Sequence, residues 1–353
     1  MDKLEEINKS IRGLDYKLIE LTQERLNNLT KPQGSLGRLE ELAKQIVGIS
    51  GKENPELKNK VIFTLAGDHG VTAEGVSVYP KEVTAQMVYN FLRGGAAINV
   101  LANHVGARVV VADFGVAEDL KPHPALVIRK INYGTKNMVL GPAMTKDEAR
   151  KALIAGIELF EGEFIKGADI IGTGEMGIGN TTASSAITAS ITKRPVEDVT
   201  GKGTDIDEQG LLRKIAVVKK ALKVNSPNPE DPIDVLAKVG GFEISGLAGI
   251  ILGAASKRVP VVIDGFISGA AALIAYKIEP KTKDYMIAAH CSMERGHRVI
   301  LDYIGLKPLL DLNLRLGEGT GAALGMCLAE AGVKILTQMA TFKSAGVSEK
   351  NKP

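Results

Sequence analysis

The stretch Ala168–Ala186, "ADIIGTGEMGIGNTTASSA", decides the fold. A short apolar run, Ala168–Ile171, leads into a glycine-rich turn and then into small residues that continue as a helix, the strand, turn and helix of a βαβ unit. Gly172–Gly177 satisfies G-x-G-x-x-G. Gly174–Thr181, with Gly177 and Gly179 inside it, fits G-x-x-x-x-G-K-[ST] except that Asn180 stands where the lysine belongs. Taken alone, such a turn is more often a tight connection than a phosphate site. In the functional reading, a helix starting near Thr181 offers an anion its free N–H groups and positive dipole end, with side-chain contacts from Asn180, Thr181 and Thr182. The absent lysine is the one that reaches the β- and γ-phosphates in P-loop enzymes, so the expected anion is a monophosphate. A dinucleotide site is disfavoured, because about 20 residues further on the chain reads "SITKRPVED", with no apolar strand ahead of its acid.

Working outward, similar apolar runs recur at VIFTLA (61–66), RVVVA (108–112), VVI (261–263), MIAA (286–289) and LNLRL (312–316), separated by helical stretches. That alternation predicts an α/β fold, doubly wound, with a mainly parallel sheet and helices on both faces. Before residue 50, Leu4, Ile7, Ile11, Leu14, Leu18 and Leu21, then Leu36, Leu39, Leu42 and Ile46, recur at helical spacing. Residues 1–55 are therefore expected to form a small helical domain completed by about 336–353, with 56–335 as the α/β catalytic domain. From about Lys343 the turn-rich sequence is expected to fray.

Composition narrows the function. The 44 basic and 41 acidic residues nearly cancel, Trp is absent and aromatics make up 4%, which disfavours a nucleic-acid partner. No apolar run approaches the roughly 20 residues of a membrane span and the first ten residues carry no apolar signal segment, so a cytoplasmic protein is expected. Cys291 and Cys327 lack C-x-x-C spacing and are expected to be reduced core thiols.

In an open α/β sheet, ligands lie beyond the carboxyl ends of the strands. The residues that follow the runs are Asp68-His69, Asp113, Glu175, Asp264, His290 and Glu318, a rim rich in acid. Glu318, between Gly317 and Gly319, is either a general base or an acid of the following helix's first turn, and Glu175 carries the same ambiguity. A glycosidase-like acid and base pair is a further possibility. His290, Glu294 and His297 in "AAHCSMERGH" could share a helical face as metal ligands, but Gly296 weakens that helix and a structural role is favoured, as it is for Asp68 and His69. Ser292 lacks the G-x-S-x-G setting of a nucleophile.

Six stretches in register, "KPQGSLGRLE" (31–40), "AGDHGV" (66–71), "YPKEVTAQMVYNFLRGGAAINVLA" (79–102), "GEMGIGNTTASSA" (174–186), "HCSMERGH" (290–297) and "RLGEGTGAAL" (315–324), resemble the nicotinate-nucleotide:dimethylbenzimidazole phosphoribosyltransferase family. The resemblance implies transfer of ribose 5-phosphate from nicotinate mononucleotide to a benzimidazole nitrogen, without metal or other cofactor, for the cobalamin nucleotide loop. It implies a six-stranded sheet and a homodimer. By motif, Glu318 would be the general base and Glu175 a second carboxylate in the same pocket. Gly177, Gly203, Ser292 and Arg315 would serve the phosphate end, Asp264 the ribose hydroxyls, and Gln86, Met176 and Leu316 the slot for the flat base. Lys81 departs from the glutamine common in the family, which leaves the accepted base open. Lys202 and Lys219 are cations without an assigned role. A metal-dependent hydrolase and a non-catalytic nucleotide sensor are the competing readings.

Overall fold

The computed structural model describes residues 3–348. Six strands, β1 (Lys60–Gly67), β2 (Ala107–Gly115), β3 (Leu126–Ile128), β4 (Ile170–Met176), β5 (Val261–Ile263) and β6 (Met286–Ala288), form one sheet in the order β3-β2-β1-β4-β5-β6. All neighbouring strands are parallel. All eight residues of β1 are buried, which is why the strand is apolar apart from Lys60 at its start and Thr64. Its side chains alternate between two cores. Val61, Phe63 and Leu65 face a layer that includes helices Lys146–Phe164, Phe242–Ser256 and Phe266–Ile278. Ile62 and Ala66 face helices Arg38–Ser50, Val83–Leu92, Ala97–Val105 and Thr320–Gln338.

The chain winds outward through β2 and β3 and then returns to β4 beside β1, so the strand order reverses between β1 and β4. At that switch point Leu65 lies level with Glu175 and Ala66 with Met176, bringing Asp68 and His69 beside the end of β4.

Two strand expectations need correction. LNLRL (312–316) is an irregular segment with Leu312 and Leu316 more than half exposed, and the chain touches the sheet earlier, through Leu309 N to Ala288 O and Leu310 N to Ala289 O, both 3.0 Å. The sixth strand is Leu126–Ile128, whose three residues are too few to show a period. Helix Thr320–Gln338 is long and apolar enough to cross a membrane, contrary to the reading of the sequence, but it packs between the sheet and Arg38–Ser50. Cys291 is half-buried and Cys327 exposed, so neither is a core thiol.

Helices Tyr16–Asn27 and Arg38–Ser50 meet the end of Thr320–Gln338 in a small apolar cluster of Leu26, Leu29, Ala43, Val47 and Leu336. Lys3–Ser10 lies elsewhere: its Leu4 and Ile7, with Ile11, join the core built around Phe242–Ser256. The expected fraying from Lys343 is not seen as far as residue 348. Phe342 N donates to Asn28 O at 3.1 Å, and Phe342–Ala345 is a helical turn capped by Thr341. Residues 349–353 of that expected tail lie outside the described residues.

Helices Lys146–Phe164 and Phe242–Ser256 touch backbone to backbone. A Cβ at Gly156 would stand 2.0 Å from Gly246 O, and one at Gly249 would stand 2.0 Å from Leu153 O. Gly156→Ala should therefore destabilise the fold by about 1–3 kcal/mol and lower the melting temperature, as read by thermal unfolding. An unchanged melting temperature would show that the helices separate freely.

Candidate active site

A cavity of about 200 Å³ opens at the carboxyl ends of β4, β5 and β6. Its walls include Glu175, Met176, Gly177, Asn180 and Thr181, then Gly203, Ser292 and Glu294, and finally Arg315, Leu316 and Gly317. Two larger hollows, of about 510 and 710 Å³, lie along Lys136–Lys146 with Lys238 and along Asp68–Ala73 with Ser77–Glu82. Of these three, the smaller cavity is the candidate site, because it joins a helix N-terminus to the acid at the end of β4.

The helix in question, Asn180–Thr192, begins one residue before the expected start, after Gly179 at φ +94°. A lysine from another helix stands behind the loop that lacks its own. Lys214, on Glu208–Asn225, is fully buried and donates from Nζ to Thr181 Oγ1 at 2.7 Å. Burial pulls its proton affinity down to about 8, against the opposing pull of Glu294. A Cβ on Gly203 would lie 2.9 Å from the same Nζ, so glycine there keeps the ammonium clear. The signal for Lys214 was present in the sequence: Leu211, Lys214, Val218 and Ala221 fall on one helical stripe, and a lysine in an apolar stripe has a reason to be buried.

The acids differ in how their charge is met. Asp264 is spent on structure: Oδ1 accepts from Gly321 N at 2.6 Å and Ala322 N at 3.0 Å, and Oδ2 accepts from Gly319 N at 3.1 Å, so it caps Thr320–Gln338. Burial still raises it to about 7, against the pull of those N–H groups. Glu175 accepts a short hydrogen bond from Asn180 Nδ2, and burial, followed by the charges of Asp264 and Glu243, pushes it up to about 8. At neutral pH the protein alone therefore holds Glu175 protonated. Glu318 is buried, with its backbone at φ +63° between Gly317 at +84° and Gly319 at +100°, a left-handed run that side chains rarely adopt. Its Oε2 accepts from Ile98 N at 3.1 Å, capping helix Ala97–Val105, while among the described residues no donor reaches Oε1. Of the two alternatives read from the sequence, the structure shows a helix cap, but of Ala97–Val105 rather than of the helix that follows Glu318. Burial raises its proton affinity, and its charge is felt at Glu175 and at Asp264.

The remaining candidates divide. Met176, Gly177, Gly203, Ser292 and Leu316 share the cavity with Glu175, whereas Gln86 is exposed on Val83–Leu92 and is not among its lining residues. Arg315 reaches the cavity but pairs with Asp205 at 3.2 Å. The imagined metal face does not form, because the helix starts only at Arg295 and leaves His290 on the preceding loop. His297 Nδ1 instead accepts from Ser292 N at 3.0 Å, with the ring held neutral by burial at about 3, and Glu294 Oε1 accepts from Gly203 N at 2.8 Å. Lys202 pairs with Glu208 and Lys219 with Glu197 at the surface.

A helix N-terminus backed by a buried lysine and faced by Glu175 suits an enzyme that handles a phosphorylated ligand. The chain belongs to the phosphoribosyltransferase family, whose family model matches residues 11–347. Within it, the chain groups with the nicotinate-nucleotide-dimethylbenzimidazole phosphoribosyltransferases. The relative from Chloroflexus aurantiacus (strain J-10-fl) is 58% identical over 350 residues, covering 99% of this chain and 100% of the relative. The one from Geobacter sulfurreducens is 58% identical over 349 residues, covering 99% of each. The crystal structure of the enzyme of that name from Thermus thermophilus matches with a TM-score of 0.91 at 47% identity, over 96% of this chain and 100% of the other.

Glu175 gives a stability test. Its folded-state proton affinity, about 8, exceeds the ordinary 4.5, so the stability it contributes is complete below about 4.5 and is lost as pH rises through about 8. Glu175→Gln stays neutral and keeps an acceptor for Asn180. In urea titrations its advantage over the wild type should grow across that window to on the order of a few kcal/mol. A difference that does not vary with pH would mean that the carboxyl is ionised in the fold.

Proposed function

We propose that this protein transfers the 5-phosphoribosyl group of nicotinate mononucleotide to a ring nitrogen of a planar benzimidazole-type base, giving an α-ribazole 5′-phosphate and nicotinate for the cobalamin nucleotide loop. The observation that carries the reading is the pairing, across one small cavity, of a lysine-backed helix N-terminus with Glu175 and the neighbouring Glu318 loop. Its support is the likeness to the relatives named above.

In the proposed mechanism the 5′-phosphate lies against Gly177, Gly179, Asn180, Thr181 and Gly203, with Ser292, Arg315 and the Lys214 ammonium around it. The phosphate stays on the sugar throughout, so a lysine placed beside the helix rather than reaching for a terminal phosphate suffices. The base nitrogen attacks C1′, the bond from C1′ to the pyridinium nitrogen breaks, and the electron pair leaves with nicotinate. Glu318 takes the N–H proton of the base through Oε1, while the Ile98 N–H fixes the carboxyl through Oε2. Glu175 gives up its proton as the cationic nucleotide enters, and its charge then stabilises positive character at C1′. Met176 and Leu316 form the slot for the base, and Gln86, outside the lining of the free cavity, would meet the base from helix Val83–Leu92. Asp264 acts through the Gly319–Ala322 backbone it holds, which places Glu318, rather than through the ribose. The chemistry consumes no cofactor. The same reading takes the molecule to be a cytoplasmic homodimer, with segments 1–55 and 336–353 as its small domain, from which Lys3–Ser10 reaches back to the large core.

The direct test incubates the protein with nicotinate mononucleotide and a panel of bases in the presence of a chelator and seeks the ribosylated base by mass spectrometry. Product is expected with at least one base; nucleotide binding without product from any base would leave a sensor. Glu318→Gln should keep its fold and lose roughly 10² in rate, the usual scale for a general base, and an unchanged rate would reduce Glu318 to a helix cap. Because Lys214 is charged only below about 8, KM for the nucleotide should rise as pH passes that value, and Lys214→Met should flatten the dependence.

A further inference from the structure

One buried ionic pair has no part in the mechanism above. His69 Nε2 lies 2.6 Å from Glu243 Oε1, and both side chains are almost wholly buried. Burial works against a charged ring, but the bonded Glu243 carboxylate and the nearby Asp68 outweigh it and raise the proton affinity of His69. The pair stands under the site. A Cβ on Gly67 would lie 2.8 Å from Glu243 Oε2, and a Cβ on Gly177 would lie 2.3 Å from Gly67 O. One on Gly179 would lie 3.3 Å from His69 Cβ. The carboxylate, the end of β1 and the glycine loop are therefore stacked in one column without slack. Gly241 closes the other side, where a Cβ would come 2.4 Å from His69 Cε1.

We infer that the His69–Glu243 pair is a positioning element of the transfer reaction: it sets the height of the Gly177–Gly179 loop and so fixes where the nucleotide phosphate stands relative to Glu175. The inference rests on the reaction proposed above. Neither residue touches substrate; both act through the loop they support. Glu243 also adds to the negative charge around Glu175, second to Asp264 among the acids there and ahead of Glu318.

The experiment uses the full-length protein and begins with wild-type turnover, so that a missing product condemns the reaction itself and not this inference. Steady-state constants are then compared for His69→Ala, His69→Gln and Glu243→Gln, each corrected for folded fraction. His69→Ala should raise KM for nicotinate mononucleotide by about tenfold or more with KM for the base unchanged, the scale of a small misplacement at a reacting centre. His69→Gln, whose amide can still donate to Glu243, should recover to within about threefold, as expected when the geometry is restored. Should His69→Ala fail to fold, Glu243→Gln keeps the inference open to refutation. With Asp264 and Glu318 still facing Glu175, and Asp68, His69 and His290 in place around them, loss of the Glu243 charge should move the Glu175 limb of the kcat/KM profile to lower pH. Variants that only melt earlier, with both KM values and the pH profile of the wild type, would overturn the inference.

Discussion

A carboxylate withdrawn from water must find donors, find a cation or keep its proton, and four of the carboxyl groups buried around the meeting of β1 and β4 show the range. Each takes a different course. Asp264 collects three backbone N–H groups, Glu243 takes the ring of His69, Glu318 takes one N–H and, among the described residues, leaves an oxygen free, and Glu175 keeps its proton beside Asn180. The order in which they are satisfied runs opposite to their fitness for chemistry. A fully saturated carboxylate can only hold a backbone in place, whereas one with a free oxygen or a loosely held proton can trade protons with a ligand.

The glycines follow from this crowding. A Cβ on Gly317 would stand 2.2 Å from Glu175 Oε1, and one on Gly174 would stand 2.2 Å from the Glu318 carbonyl, so the β4 turn and the 317–319 loop each yield space to the other's glutamate. Thr64 pins the arrangement from β1 by donating to Glu318 O at 2.9 Å. The left-handed backbone at Glu318 persists because its surroundings specify it from three sides.

Much of this was legible in the chain. β1, β2 and β4 announce themselves through the apolar, mostly β-branched runs Val61–Phe63, Val109–Val111 and Ile170–Ile171, and the glycine turn after β4 marks itself by composition. β3 escaped notice because three residues carry no period, and LNLRL misled because its alternation imitates a strand while its leucines lie in an exposed loop. At the site, the motifs pointed to Glu175 and Glu318 but not to how their charges are managed. Lys214 reaches Thr181 from 33 residues away, and Ile98 reaches Glu318 across 220. Such contacts depend on how helices dock, which no local pattern encodes.

The span of that last bond also orders events during synthesis. A chain emerging from the ribosome completes β1 and β4 long before residue 318 is made, so it can lay down most of the sheet while helix Ala97–Val105 still lacks the acceptor for its Ile98 N–H. Only when the 317–319 loop and helix Thr320–Gln338 pack over the strands are that cap and the cavity wall completed. Nascent fragments would therefore be foldable in part yet blind to nucleotide, and ligand could stabilise only the finished polypeptide.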